Sequence, residues 1–203
     1  MSKTVNGSRT AFTWNGQNLA CEVNEDSINT YTYDITGISS AVIGGDYRTY
    51  MNDTHGSIVG YYDNIGNRLS QYEYDAFGNR LKGSDPDPFG YCGEYYDSES
   101  GNIYLRARYY NSTTGRFISE DPAKDGVNWY VYCSGNPVMF VDPSGYLNEG
   151  YDENGNWHDW DAEAYGADSS TYKILCDLTD IWNNGNESQK QYAADLANTI
   201  RES

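Results

Sequence analysis

Apolar and polar residues alternate along much of this chain with a period of two, the spacing of half-buried β-strands. The cleanest stretch is Ile103-Tyr104-Leu105-Arg106-Ala107-Arg108-Tyr109-Tyr110. Read as one strand, it turns Ile103, Leu105, Ala107 and Tyr109 to one side and Tyr104, Arg106, Arg108 and Tyr110 to the other. Two copies of one pattern flank it: Tyr95-Tyr96-Asp97-Ser98-Glu99-Ser100-Gly101 and, fourteen residues on, Tyr109-Tyr110-Asn111-Ser112-Thr113-Thr114-Gly115. An aromatic pair, a polar turn and a closing glycine predict a hairpin turn on each side. Residues 8–23 hold two apolar runs around Asn15-Gly16, a hairpin dipeptide. A unit of tyrosine, aspartate, two residues and glycine recurs at 33–37, 62–66 and 74–78. In each unit the aspartate can accept backbone N–H groups across a turn while the tyrosine packs on a sheet.

After Tyr146 the period changes. Residues 151–157 repeat the tyrosine-aspartate turn shape, and then Leu175, Leu178, Ile181 and Trp182 share one face of a predicted helix over 170–183. Gly185 suits its end, and Ser188 with Gln191 forms a capping box for a second helix carrying Tyr192, Leu196 and Ile200. The short link sets a small helical hairpin with too little core to stand alone. The predicted fold is therefore mainly β. An antiparallel strip of β-hairpins fills 1–82, and a second β segment follows a turn-rich joint and fills 83–146. A variable tip with the α-helical hairpin fills 147–203.

Composition agrees, with 21 tyrosines for strands and 21 glycines for turns. Thirty acids against 13 bases give a net charge of −17, which repels phosphates and argues against a nucleic-acid partner. No apolar run is long enough for a membrane span, and no basic-then-apolar opening marks a signal peptide. Cys21, Cys92, Cys133 and Cys176 lack metal-ligand spacing, and both disulfides and unpaired thiols fit that pattern.

The segment from Pro88 to Tyr146 resembles the Rhs-repeat-associated core, and the turns before it resemble YD repeats. The resemblance lies in Tyr109-Tyr110-Asn111-Ser112-Thr113-Thr114-Gly115-Arg116-Phe117-Ile118-Ser119-Glu120-Asp121-Pro122, in Gly135-Asn136-Pro137 and in Asp142-Pro143-Ser144-Gly145. The best repeat is Tyr72-Glu73-Tyr74-Asp75-Ala76-Phe77-Gly78. This likeness implies a strip of a hollow β-shell in a secreted or surface-displayed parent of the polymorphic-toxin type. It further implies an aspartyl device that cuts its own chain and frees the tip. Carried over, the catalytic pair is Asp121 and Asp142, and the bond cut is Tyr146–Leu147. The family's most common residue before that bond is leucine, where this chain has Tyr146. The implied partners are the rest of the shell and an immunity protein.

Elementary chemistry supports the same pair. Pro122 and Pro143 hold the preceding aspartates on extended backbone. Two carboxylates close together do not both ionise, so one supplies acid and the other activates water. An intramolecular substrate adds effective molarity. Arg106, Arg108 and Arg116 are assigned to structural ion pairs. The competing expectation is a non-enzymatic adhesive module whose Tyr and Trp faces stack on a surface glycan. No cofactor or metal is expected. Asp152, Asn154, Asn156 and Glu163 have calcium-loop spacing, but Trp157 stands where the bend needs glycine.

Overall fold

The computed structural model describes residues 1–34, 37–83, 87–122, 124, 128–146, 149–151 and 157–159. The predicted helical hairpin over 170–200 lies outside them. Eight strands form one antiparallel meander in chain order: β1 (Ser2–Val5), β2 (Ser8–Asn15), β3 (Asn18–Val23), β4 (Ile28–Asp34), β5 (Gly37–Ile43), β6 (Asp46–Asn52), β7 (Ile58–Tyr62) and β8 (Arg68–Gln71). β9 (Glu73–Tyr74) and β10 (Arg80–Lys82) form a two-stranded pair. A four-stranded sheet follows from β11 (Tyr95–Asp97), β12 (Asn102–Leu105), β13 (Arg108–Asn111) and β14 (Arg116–Phe117). β15 (Phe140–Val141), β16 (Glu149–Tyr151) and β17 (Trp157–Asp159) make a fourth antiparallel set. The mainly β, antiparallel expectation holds.

The repeated aspartates build the turns as their chemistry suggests. Asp63 Oδ1 accepts the N–H groups of Ile65 and Asn67 at 3.0 and 2.7 Å. Asp75 Oδ1 does the same for Phe77 and Asn79, both at 2.9 Å. Asp53 makes a further turn of this kind, holding the N–H groups of His55 and Ser57, although Asn52 stands where the repeats have tyrosine. Register shifts interrupt the β2–β3, β4–β5, β6–β7 and β7–β8 pairings. Such irregularities bend a strand and add twist.

One face of the long sheet buries Phe12, Leu19, Tyr31, Ile38, Ala41, Tyr50 and Tyr61. The chain after the joint covers that face. Phe89 meets Tyr31 with ring centroids 4.9 Å apart, and Tyr95 meets Phe12 at 5.9 Å. A second cluster, Tyr91, Ile103, Leu105, Tyr110, Phe117, Tyr132 and Cys133, lies under the four-stranded sheet. Tyr74 packs against both clusters. Tyr31, Tyr50, Tyr61 and Tyr72 are buried core residues, whereas Tyr33, Tyr62 and Tyr74 of the repeated units are half-buried. Cys21, Cys92 and Cys133 are free thiols.

One expectation is corrected. Residues 103–110 are not one strand but a hairpin, in which β12 pairs with β13 and Leu105 lies opposite Arg108. Arg106 and Ala107 form the two-residue turn, with Arg106 at φ +51°. The turn reverses the side-chain parity. Arg108 and Tyr110 consequently share the buried face of Ile103 and Leu105 instead of opposing it.

Candidate active site

Asp121 follows β14 and Asp142 follows β15, and both are buried, at 6% and 2% exposure. Arg108, the first residue of β13, is 4% exposed and lies between them. Its Nη1 stands 3.8 Å from Asp121 Oδ2 and its Nη2 3.5 Å from Asp142 Oδ2. The Phe117 ring packs against the guanidinium, 3.6 Å from ring centre to Cζ. Desolvation lowers the Arg108 pKa from its ordinary value, and the charges of Asp121 and Asp142 oppose that shift. Arginine nevertheless keeps its proton.

The same guanidinium reaches the backbone expected to be cut. Arg108 Nη2 donates to the Tyr146 carbonyl at 3.3 Å, Nε donates to the Gly145 carbonyl, and Nη1 donates to the Trp129 carbonyl at 3.2 Å. Asp142 holds this loop from inside. Its Oδ1 accepts the Gly145 N–H at 2.8 Å and the Ser144 hydroxyl at 3.3 Å. Ser144 Oγ in turn accepts the Tyr146 N–H at 3.1 Å. Gly145 takes φ +73°, and its α-carbon passes so close to the Leu105 carbonyl that an added β-carbon would collide with it. From above, the Ala107 N–H donates to the Ser144 carbonyl at 3.1 Å.

β15 pairs with β16, and residues 142–146 follow β15 on the way to β16. Tyr146 is the last of these, and Leu147 falls outside the described residues. Of the expected site residues, Asp121, Asp142 and the Tyr146 carbonyl thus converge on one guanidinium. Arg108, assigned from the sequence to an ion pair, pairs here with both aspartates, on the face opposite to the one that single-strand parity gave it. A cavity of about 60 Å³ adjoins Asp142 and is lined also by His55, Cys92, Glu94 and Tyr132. A space of that size accommodates one or two water molecules.

Residues 20–128 match the family model described as Teneurin YD-shell. The chain is 34% identical over 162 residues to the tRNA3(Ser)-specific nuclease WapA of Bacillus spizizenii, covering 72% of this chain and 7% of that protein. It is 42% identical over 57 residues to toxin protein Tse5 of Pseudomonas aeruginosa, covering 27% of this chain and 4% of the toxin. The chain therefore spans less than a tenth of the length of either relative. A solved structure of the Photorhabdus luminescens Tc holotoxin pore matches with a TM-score of 0.50 at 20% identity, over 72% of this chain and 9% of that one. This last likeness is one of fold. With the family model covering over half of its residues, the chain belongs to the Teneurin YD-shell family.

Proposed function

We propose that this chain is the closing part of a YD-repeat shell that hydrolyses its own Tyr146–Leu147 bond and frees the residues beyond. The parent is read as a secreted or surface-displayed toxin-type protein, and the freed tip as its effector in competition between cells. The observation that supports this reading most directly is the Arg108 guanidinium, which is shared by two buried aspartates and the Tyr146 carbonyl.

The chemistry follows from those contacts. Asp142 takes a proton from water, and the resulting oxygen bonds to the Tyr146 carbonyl carbon. Charge develops on the Tyr146 oxygen, where Arg108 Nη2 already donates. Asp121, which holds the pair's one proton at the start, gives it to the Leu147 nitrogen as the C–N bond breaks, leaving a carboxylic acid on Tyr146 and an amine on Leu147, and that acid's proton passes to the amine. Proton transfer between the two aspartates through solvent restores the starting state. The reaction turns over once per chain.

Intact mass of the freshly folded chain tests the reading. Two fragments meeting at Tyr146 and Leu147 are expected, with one oxygen-18 entering the Tyr146 carboxylate in labelled water. Asp121→Asn and Asp142→Asn should each leave the chain whole. A wild-type chain that folds and stays intact, or Asn variants that still cut, would remove the proposal.

A further inference from the structure

Arg106 takes a left-handed φ of +51° that residues other than glycine seldom adopt. Contacts from three distant parts of the chain surround its side chain. Nη1 lies 2.5 Å from Glu94 Oε1 and donates to the Pro143 carbonyl at 2.5 Å. Nε and Nη2 donate to the Gln17 carbonyl at 3.2 and 3.1 Å. Gln17 belongs to the turn between β2 and β3, whereas Pro143 belongs to the loop that carries Asp142 and Tyr146. Glu94 is itself buried, and desolvation raises its carboxyl pKa against the pull of Arg106.

We infer that Arg106 is a positioning residue that makes cleavage at Tyr146 conditional on docking of the β2–β3 hairpin. This rests on the hydrolytic reading above. The turn 106–107 grips the loop at Pro143 through Arg106 and at Ser144 through the Ala107 N–H, directly beside the Arg108 contacts to Gly145 and Tyr146. The Gln17 carbonyl accepts from both Nε and Nη2 and so fixes the fork of the Arg106 guanidinium. Until the hairpin is seated, that fork loses its anchor and the loop is held from one side only. Cleavage is thereby delayed until the long sheet has formed, which keeps the tip attached during construction of the shell.

Cleavage is followed by intact mass after dilution from denaturant, with circular dichroism reporting folding. Arg106→Lys keeps a cation for Glu94 but not the planar fork, and should fold while cutting roughly a hundredfold more slowly. Insertion of two glycines between Gly16 and Gln17 moves the carbonyl anchor and should slow cutting similarly. The double variant Glu94→Gln/Arg106→Gln leaves no unpaired buried charge, so its stability should recover while its rate does not. A merely structural ion pair would give the wild-type rate back. Wild-type rates in Arg106→Lys or in the folded double variant overturn the inference. If the double variant does not fold, Arg106→Lys decides. An uncut wild-type chain removes the hydrolytic reading instead, and this inference with it.

Discussion

A guanidinium that is 4% exposed is stable inside a protein only when acceptors and opposite charges surround it. Arg108 has both, with two carboxylates within 4 Å and three carbonyl acceptors. The converse holds for Asp121 and Asp142, which have this cation as a shared counter-charge. Arg108→Met should therefore lower stability by about 3–5 kcal/mol, because it removes the counter-charge of a buried carboxyl pair. The urea midpoint measures that loss. Adding Asp121→Asn and Asp142→Asn to Arg108→Met should recover much of it, since no stranded charge then remains. A triple variant less stable than Arg108→Met would show that packing against Phe117, not charge, is what Arg108 supplies.

At the scale of turns and strands, the features written in local chemistry were legible. Asp63 and Asp75 sit where aspartate must bridge a turn, and Gly101 and Gly115 end their hairpins at φ +71° and +66°. The Asp-Pro pairs that the family resemblance singled out also come together. The turn at Arg106-Ala107 was not legible, because neither residue is a turn former and its geometry is fixed by Gln17, Glu94 and Pro143, remote in sequence. That one hidden turn reversed the parity of β13 and moved Arg108, already assigned to an ion pair, to the buried face. The legible turns carry a pH signature. Burial pushes the Asp75 carboxyl up, but hydrogen bonds from Asn79, Phe77 and Gly78 outweigh it and hold the folded pKa below the ordinary value. A depressed folded pKa gives stability that is present above the unfolded value of about 3.9 and lost as pH falls through the folded one. Asp75→Ala should thus lower Tm by about 2–4 °C at pH 7. The gap to wild type should narrow as the pH falls below the unfolded value of about 3.9 and through the folded one. A gap that persists in acid would assign the effect to backbone geometry rather than to the ionised carboxylate.

Across the whole molecule, the long sheet and the segment that carries the candidate site are joined at Asp87 and Phe89. Asp87 is 2% exposed and pairs with Arg48 at 2.7 Å, the Tyr50 hydroxyl at 3.0 Å and the Phe89 N–H at 3.0 Å. Arg48 also lies over the Tyr61 ring, 4.7 Å from its centre. Phe89, two residues on, enters the aromatic cluster on the sheet face between Tyr31 and Tyr95. The joint thus ties β6 to the chain that leads into β11, so neither body can separate without exposing a charged pair and a ring together. Asp87→Ala leaves Arg48 without its carboxylate and should destabilise by about 3–5 kcal/mol. It should also divide one unfolding transition into two, because the contact that couples the bodies is lost. Asp87→Asn keeps one acceptor oxygen, which Tyr50 and Phe89 can share, and should lose less. Hydrogen exchange read by peptide mass distinguishes the outcomes. In wild type, β5–β7 and β11–β13 should lose protection together as urea rises. In Asp87→Ala the second set should open first, and the proposed cleavage at Tyr146 should slow in step with it. Joint opening in the variant would place the coupling in the aromatic contacts alone, and Phe89→Ala would then be the change that separates the two bodies.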